Sequence, residues 1–184
     1  RDVFVCFRPT KVDLIQNSHL TAHPLHHDLG PDLIGPPISS HELRGRIQHY
    51  EQVSAYLDDL LLDQRIAAGI GNVYKSEILF IYRLNPRLKV CHVPDEILLE
   101  LFDCARILLH DNLKGGPRIT TTWQRSDLPK RVDSHLWVYG RKKEPCYRCG
   151  APIRRAITGR QCRVTYWCAT CQPKATKPRA QTPS

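Results

Sequence analysis

Apolar residues recur at helical spacing in four stretches of this 184-residue chain. The first opens with Ser39-Ser40-His41-Glu42, a serine followed three residues later by a glutamate, and predicts a helix to about Tyr50 because such a pair can cap the first backbone amides. Leu57, Leu60, Leu61, Ile66 and Ala67 supply the apolar face of a second helix, from near Ser54 to Ala68, which Gly69-Ile70-Gly71 stops. Asn72 is then placed as N-cap of a third, carrying Val73, Tyr74, Ile78, Leu79 and Tyr82 and ending before Pro86. A fourth follows Val93-Pro94-Asp95-Glu96, whose proline and acids suit a first turn. It buries Ile97, Leu98, Leu101, Phe102, Ala105, Leu108 and Leu109 before Gly115-Gly116. The centre of the chain is therefore helix, tight glycine turn, helix.

The flanks follow a different pattern. Residues 3–7 and 11–20 cluster β-branched and apolar residues around Arg8-Pro9-Thr10, which predicts two short strands. Two strands do not make a stable sheet alone, so residues 1–22 are expected to be the trailing edge of a β domain. Four prolines and two glycines within residues 23–38 predict a linker. Its histidines lack the cysteines or helical spacing of a metal site. Residues 39–136 make the helical domain, with 117–136 expected to be a long surface loop. Residues 137–173 form a separate small module. The tail 174–184 holds no apolar residue larger than alanine and is expected to be disordered.

Composition changes the picture of the module. The net charge of +9 is concentrated there: residues 137–172 carry eight Lys and Arg against the single acid Glu144, whereas the first 136 residues are nearly neutral. A concentrated basic end favours a phosphate polyanion as partner. Within it stand Cys146-Tyr147-Arg148-Cys149, eighteen residues, then Cys168-Ala169-Thr170-Cys171. Two thiolate pairs at this spacing can each bite one side of a tetrahedral ion, so Cys146, Cys149, Cys168 and Cys171 are expected to bind one structural Zn2+. The module has too few bulky apolar residues to fold without such a staple. Cys6, Cys91, Cys104 and Cys162 are scattered singly, which fits reduced thiols better than a disulfide framework. No apolar run approaches the ~20 residues of a membrane span, and no signal-peptide pattern opens the chain, so a soluble monomer of cytoplasm or nucleus is expected. The chain opens Arg1-Asp2-Val3 and contains no methionine, so a fragment or processed product is expected.

Few residues invite a chemical role. In Ala68-Gly69-Ile70-Gly71-Asn72 the glycines Gly69 and Gly71 would let another backbone approach. The first amides of the next helix would then face a phosphate, with Asn72 at its start and Lys75 on the rim. An ordinary helix hairpin with a surface lysine fits the same residues equally well. Arg163 is expected near the tip of a β-hairpin between the cysteine pairs, projecting beyond the metal knuckles towards phosphate. Tyr166 and Trp167 are expected to pack on the zinc site. Glu77 is either a buried hydrogen-bonded acid or a solvated one, and Asp58, Asp59 and Asp63 are expected on a solvated helix face. No Ser/His/Asp set and no P-loop is present, so the residues themselves assign no catalytic group.

The run Leu61-Leu62-Asp63-Gln64-Arg65-Ile66-Ala67-Ala68-Gly69-Ile70-Gly71-Asn72-Val73-Tyr74-Lys75-Ser76-Glu77-Ile78-Leu79, with the cysteine hairpin closing in Arg163-Val164-Thr165-Tyr166-Trp167-Cys168-Ala169-Thr170-Cys171-Gln172, resembles the Fpg/Nei family of formamidopyrimidine-DNA glycosylases and endonuclease VIII proteins. The resemblance spans roughly residues 25–173 and includes Leu29-Gly30-Pro31-Asp32-Leu33, similar to the family's interdomain segment. It implies an α+β fold: a remnant of an N-terminal β domain, a helix-two-turns-helix domain and a C-terminal zinc-bound β-hairpin. It also implies base-excision repair, in which an oxidised base is flipped from duplex DNA, its glycosidic bond cleaved, and the backbone cut by elimination through a Schiff base. Asn72 and Arg163, at matching positions, would grip phosphates flanking the extruded nucleotide, and Glu77 matches an acid near the catalytic amine. The family's N-terminal proline nucleophile, the glutamate after it and a lysine of the β domain find no counterpart, since Arg1-Asp2 is not Pro-Glu. The resemblance thus implies the DNA-binding half of such an enzyme, inactive alone. Gly71-Asn72-Val73-Tyr74-Lys75-Ser76-Glu77 is closer to the endonuclease VIII-like branch, which favours oxidised pyrimidines. A different class stays open: a non-catalytic, zinc-dependent nucleic-acid-binding protein of ribosomal or structural type.

Overall fold

The computed structural model of the protein describes residues 14–19, 28–51, 55–122 and 135–174. The strand expected at 3–7, the histidines of the linker, the middle of the 117–136 loop and most of the tail lie outside the described residues. Within the second expected strand, Asn17–His19 forms a 3-10 turn instead.

Among the described residues, four α-helices and one hairpin follow in order: α1 (Ser40–Glu51), α2 (Leu57–Leu62), α3 (Asn72–Ile81), α4 (Asp95–Asp111), β1 (Ile153–Thr158) and β2 (Arg163–Cys168). The amide of Glu42 donates to Ser39 Oγ at 3.2 Å, the capping contact that the Ser-x-x-Glu pattern predicts for α1. α2 is much shorter than the expected 54–68 helix. Asp63 leaves helical geometry at φ −78, ψ 106, and its carboxylate accepts both the Arg65 backbone amide and the Arg65 guanidinium. A local side-chain bond has outcompeted the next helical turn.

α2, α3 and α4 share one core in which Leu57, Leu60, Leu61, Ile78, Leu79, Phe80, Ile81, Leu101, Ala105 and Leu108 are fully buried. Asn112 closes α4 by donating to the carbonyls of Leu108 and Ile119 while accepting the Ile119 amide. The segment 30–33, which the prolines mark as linker, is pinned to the loop after α2. Gly30 N donates to Gln64 O, Ala68 N to Pro31 O and Leu33 N to Ala68 O. A Cβ on Gly30 would stand 2.5 Å from the Ile66 carbonyl oxygen, so only glycine fits this approach.

β1 and β2 pair antiparallel, Ile153 opposite Cys168 and Thr158 opposite Arg163. The hairpin lies on α3 rather than standing apart. Trp137 and Val138, which lead into it, are completely buried in the helical core, and the Trp137 ring meets Phe80 at 5.6 Å. The small module thus borrows apolar burial from the helices as well as using metal.

Candidate nucleic-acid interface and zinc centre

Cys146, Cys149, Cys168 and Cys171 converge until all four sulfurs lie within 4.8 Å of one another. Two sulfur pairs, Cys146–Cys171 and Cys149–Cys168, stand at 3.8 and 3.4 Å. Tetrahedral zinc with Zn–S bonds of ~2.3 Å requires sulfur separations near ~3.8 Å, so the cage fits this ion. The first knuckle turns through Gly150 at φ 75, with Gly150 N bonded to Cys146 O at 2.8 Å. Four thiolates leave no open position, which makes the zinc structural.

Buried polar side chains dock this centre on the helices. Gln172, fully buried, donates to Leu84 O at 2.8 Å and accepts the Cys168 amide at 2.9 Å, while Asn85 donates to Gln172 O. Arg148 lies over the Phe80 and Trp137 rings and donates to Phe80 O at 3.0 Å. At the other end the hairpin tip rests on α2: Arg160 N donates to Asp59 Oδ1 at 2.6 Å, and a Cβ on Gly159 would meet the same oxygen at 2.5 Å. Arg163 is exposed, immediately after the turn, as expected. The tip does not project freely, because Asp59 holds it.

Lys75 departs from the sequence expectation. It is completely buried, not on the rim. Its ammonium donates to Thr165 Oγ1 at 2.7 Å and Val164 O at 3.2 Å, so β2 covers it. Burial pulls the Lys75 ammonium down to about 8, with Asp58 and Asp59 opposing. Asp58, Asp59 and Asp63 are likewise buried rather than solvated. Burial pushes the Asp58 carboxyl up, with the nearby Thr158 hydroxyl opposing. For Asp63 burial acts in the same direction, but the hydrogen bonds from Arg65 outweigh it and hold the carboxyl below its ordinary value.

The turn before α3 is built by Gln64, which carries no signal in the sequence. Its Nε2 donates to Leu62 O and Ile70 O, both at 3.0 Å, and its Oε1 accepts the Gly69 amide at 3.0 Å. Gly69 sits at φ 124, a region closed to other residues, and its added Cβ would press on Leu109. Gly71 has an ordinary φ of −109 and nothing within 4 Å of an added Cβ. Gly71, not Asn72, is the N-cap. Asn72 is the first helical residue, and its Oδ1 is buried with no partner in the protein. The open backbone at Gly71 and the first-turn amides of α3, which no helical carbonyl can serve, make a surface that an anion can approach.

Glu77, one and a half turns further on, is fully buried. Oε1 accepts the amides of Val138 and Tyr139 at 2.9 and 2.8 Å. Oε2 accepts the Trp137 amide at 2.6 Å and the Thr120 hydroxyl. Burial pushes its carboxyl up, and these four donors act against that. The sequence leaves Glu77 between two environments; the structure gives it the buried, hydrogen-bonded one.

The profile described as the formamidopyrimidine-DNA glycosylase H2TH domain matches residues 29–122, half of the chain. The chain belongs to the Fpg/Nei family of DNA glycosylases. Among curated Fpg/Nei relatives, the DNA-(apurinic or apyrimidinic site) lyase Nei2 of Mycolicibacterium smegmatis is 38% identical over 78% of this chain and 52% of its own length. A formamidopyrimidine-DNA glycosylase of Rhizorhabdus wittichii is 33% identical over 88% of this chain and 58% of its own. The crystal structure of Fpg (MutM) from Thermus thermophilus superposes with a TM-score of 0.65 at 29% identity, covering 88% of this chain and 59% of that one. Lactococcus lactis formamidopyrimidine-DNA glycosylase, non-covalently bound to DNA containing an AP site, gives 0.66 at 25% identity, covering 87% and 55%. The chain spans about half the length of the curated relatives it matches. Fpg/Nei membership and the four-cysteine cage agree with the α+β reading of helical domain plus zinc hairpin. No described helix is long and apolar enough to cross a membrane.

Proposed function

We propose that the complete protein is a base-excision DNA glycosylase and AP lyase acting on oxidised bases, oxidised pyrimidines in particular, and that this chain supplies its grip on the damaged duplex. One observation carries the reading: a single short helix, α3, opens at Gly71 and Asn72 and, one turn later, bonds through Lys75 to the strand that begins with Arg163. Asn72 and Arg163, the two groups proposed to grip phosphate, thus stand on elements joined by a direct bond. Extruding a nucleotide costs a few kcal/mol, which contacts on both sides of the lesion help offset. Gly69 shapes the turn and Gly71 leaves room for the DNA backbone. Lys75 has no access to phosphate and is not part of the grip.

No chemical step is assigned to this chain. Glu77, the acid aligned with the family's site, spends both oxygens on protein donors, and the amine of Lys75 is covered. Zinc, when bound, holds the hairpin and takes no part in bond breaking. Duplex DNA as the proposed substrate puts the protein's work where the genome is, on the nucleoid of a bacterium or in a nucleus. Preference for oxidised pyrimidines is supported by Gly71-Asn72-Val73-Tyr74-Lys75-Ser76-Glu77 and by the higher identity to Nei2 than to the Rhizorhabdus glycosylase.

Borohydride trapping of the complete protein on an abasic-site duplex tests the lyase reading. A covalent adduct is expected, and its absence refutes that reading. This chain alone should bind the same duplex without an adduct, and Arg163→Ala should lower its salt slope by about one. An unchanged slope removes Arg163 from the interface. Faster excision of 8-oxoguanine than of thymine glycol by the complete protein would overturn the pyrimidine preference.

A further inference from the structure

We infer that Lys75 is a positioning residue that couples the two phosphate grips, fixing the strand that carries Arg163 against the helix that begins at Asn72. The inference rests on the DNA-gripping role proposed above and adds to it the part that makes the two grips act together.

Lys75 sits one turn inside α3, and its ammonium reaches the carbonyl of Val164, the residue next to Arg163, and the hydroxyl of Thr165. Thr165 Oγ1 in turn meets Thr158 Oγ1 at 2.5 Å, and Thr158 is the direct cross-strand partner of Arg163. Lys75 therefore touches β2 directly and β1 through one hydroxyl, just inside the tip that presents Arg163. Two further contacts hold the same region. Arg160 N donates to Asp59 Oδ1, and the Tyr166 amide meets Ser76 Oγ at 3.4 Å.

The chemistry of this seam is unusual for a packing surface. Lys75, Asp58 and Asp59 are all buried there, and neither Asp58 oxygen finds a donor in hydrogen-bonding geometry. An apolar side chain of similar volume would pack as well without the desolvation cost of an ammonium. What an apolar seam lacks is direction. A methionine can slide along β2, whereas an ammonium with a carbonyl and a hydroxyl as acceptors is satisfied in one register only. Because β side chains alternate in direction, a slip of one residue would turn Arg163 to the opposite face of the hairpin. The buried lysine thus specifies where Arg163 stands relative to Asn72 without touching DNA.

Fluorescence anisotropy of the zinc-loaded chain on a duplex carrying a tetrahydrofuran abasic analogue tests this with a double-mutant cycle. Arg163→Ala is expected to weaken binding roughly tenfold and lower the salt slope by about one. Lys75→Met should lose most of the same factor and of the same slope while retaining one zinc per chain. The double variant should bind within about twofold of Arg163→Ala alone, because an arginine already out of place has little left to lose. Thr165→Val removes the acceptor without touching the lysine and should behave like Lys75→Met, while Thr165→Ser recovers most of what Thr165→Val loses. If Lys75→Met does not fold, the Thr165 pair in the same cycle decides. Losses that multiply, or parental binding by Lys75→Met, overturn the inference and leave the grip standing. Parental binding by Arg163→Ala overturns the grip, and the inference with it.

Discussion

Replacing Glu77 by glutamine changes one atom of the structure and should cost several kcal/mol. Its two oxygens receive four donors, three of which are backbone amides that can only donate: Trp137 on Oε2, Val138 and Tyr139 on Oε1. A glutamine must put an NH2 group at one of these positions. At the Oε1 site it would face two amides. At the Oε2 site it faces one, since the Thr120 hydroxyl can reverse and accept. The second orientation is the cheaper one, and it leaves one buried N–H orphaned, at a cost of about 1–3 kcal/mol. The two bonds on the remaining oxygen lose their charge assistance, worth about 1 kcal/mol each. Relief of carboxylate desolvation offsets part of the loss, so the net destabilisation expected is roughly 2–4 kcal/mol. Urea unfolding of the zinc-loaded chain at pH 7, followed by tryptophan fluorescence, measures it directly. Glu77→Ala, which orphans all three amides, should cost more. Because these amides belong to the entry into the zinc module, DNA binding should fall while zinc is retained. A change below ~0.5 kcal/mol for Glu77→Gln would refute the assignment of Glu77 as the anchor of that segment.

The metal cage predicts one zinc per chain, lost with Cys168→Ser together with the cooperative unfolding of the module; zinc content unchanged by that substitution would remove Cys168 from the site. The folded Lys75 value of about 8 lies below its ordinary 10.5. The unfolded chain therefore binds more protons between those limits, and stability should rise with pH across them, by up to about 3 kcal/mol, with Lys75→Met flattening the rise. Equal pH slopes for parent and variant would contradict a buried, desolvated ammonium. Gly69→Ala should destabilise the fold because of its φ of 124, whereas Gly71→Ala should unfold within ~0.5 kcal/mol of the parent yet bind the abasic duplex more weakly. Parental DNA affinity for Gly71→Ala would show that nothing approaches that open face.

The helices α1, α3 and α4 are legible in the sequence because their apolar spacing and the Ser39 cap are local signals, although Asn112 closes α4 before the Gly115-Gly116 expected to stop it. The zinc cage is legible for the same reason, since two Cys-x2-Cys knuckles need no knowledge of the rest of the chain. What local pattern does not reveal is what covers a polar side chain from far away. Lys75 and Thr165 are separated by 90 residues, Asp59 and Arg160 by 101. A lysine one turn into a helix and two adjacent aspartates look solvated until the hairpin is laid over them. The end of α2 escapes for a different reason: Ile66 and Ala67 continue the apolar spacing, but Asp63 captures the Arg65 amide and stops the helix early. Gln64 and Gln172 carry no signal of their own, since a glutamine has the same composition whether exposed or bonded on both ends of its amide. One clue is available. Lys75-Ser76-Glu77 interrupts an otherwise apolar helix, and three consecutive polar residues cannot all face water on a helix whose two sides are packed.

That interruption is where the architecture is decided. Along α3, Lys75 bonds β2, Ser76 Oγ meets the Tyr166 amide, Glu77 accepts the amides of 137–139, and the Phe80 carbonyl accepts Arg148. At the start of the helix Gly71 has open space beside it, and Asn72 Oδ1 is buried without a partner. Ten residues of helix thus hold the zinc module at four points. At 77 an apolar residue would orphan the three amides of 137–139, whereas apolar residues at 75 and 76 would preserve the helix and its burial. They would not fix the angle or register of the hairpin, because apolar contacts are non-directional. Zinc gives the hairpin its shape through a cage at the far end from Arg163. The polar run of α3 gives it a position, and the grip proposed for Asn72 and Arg163, on separate elements, depends on position.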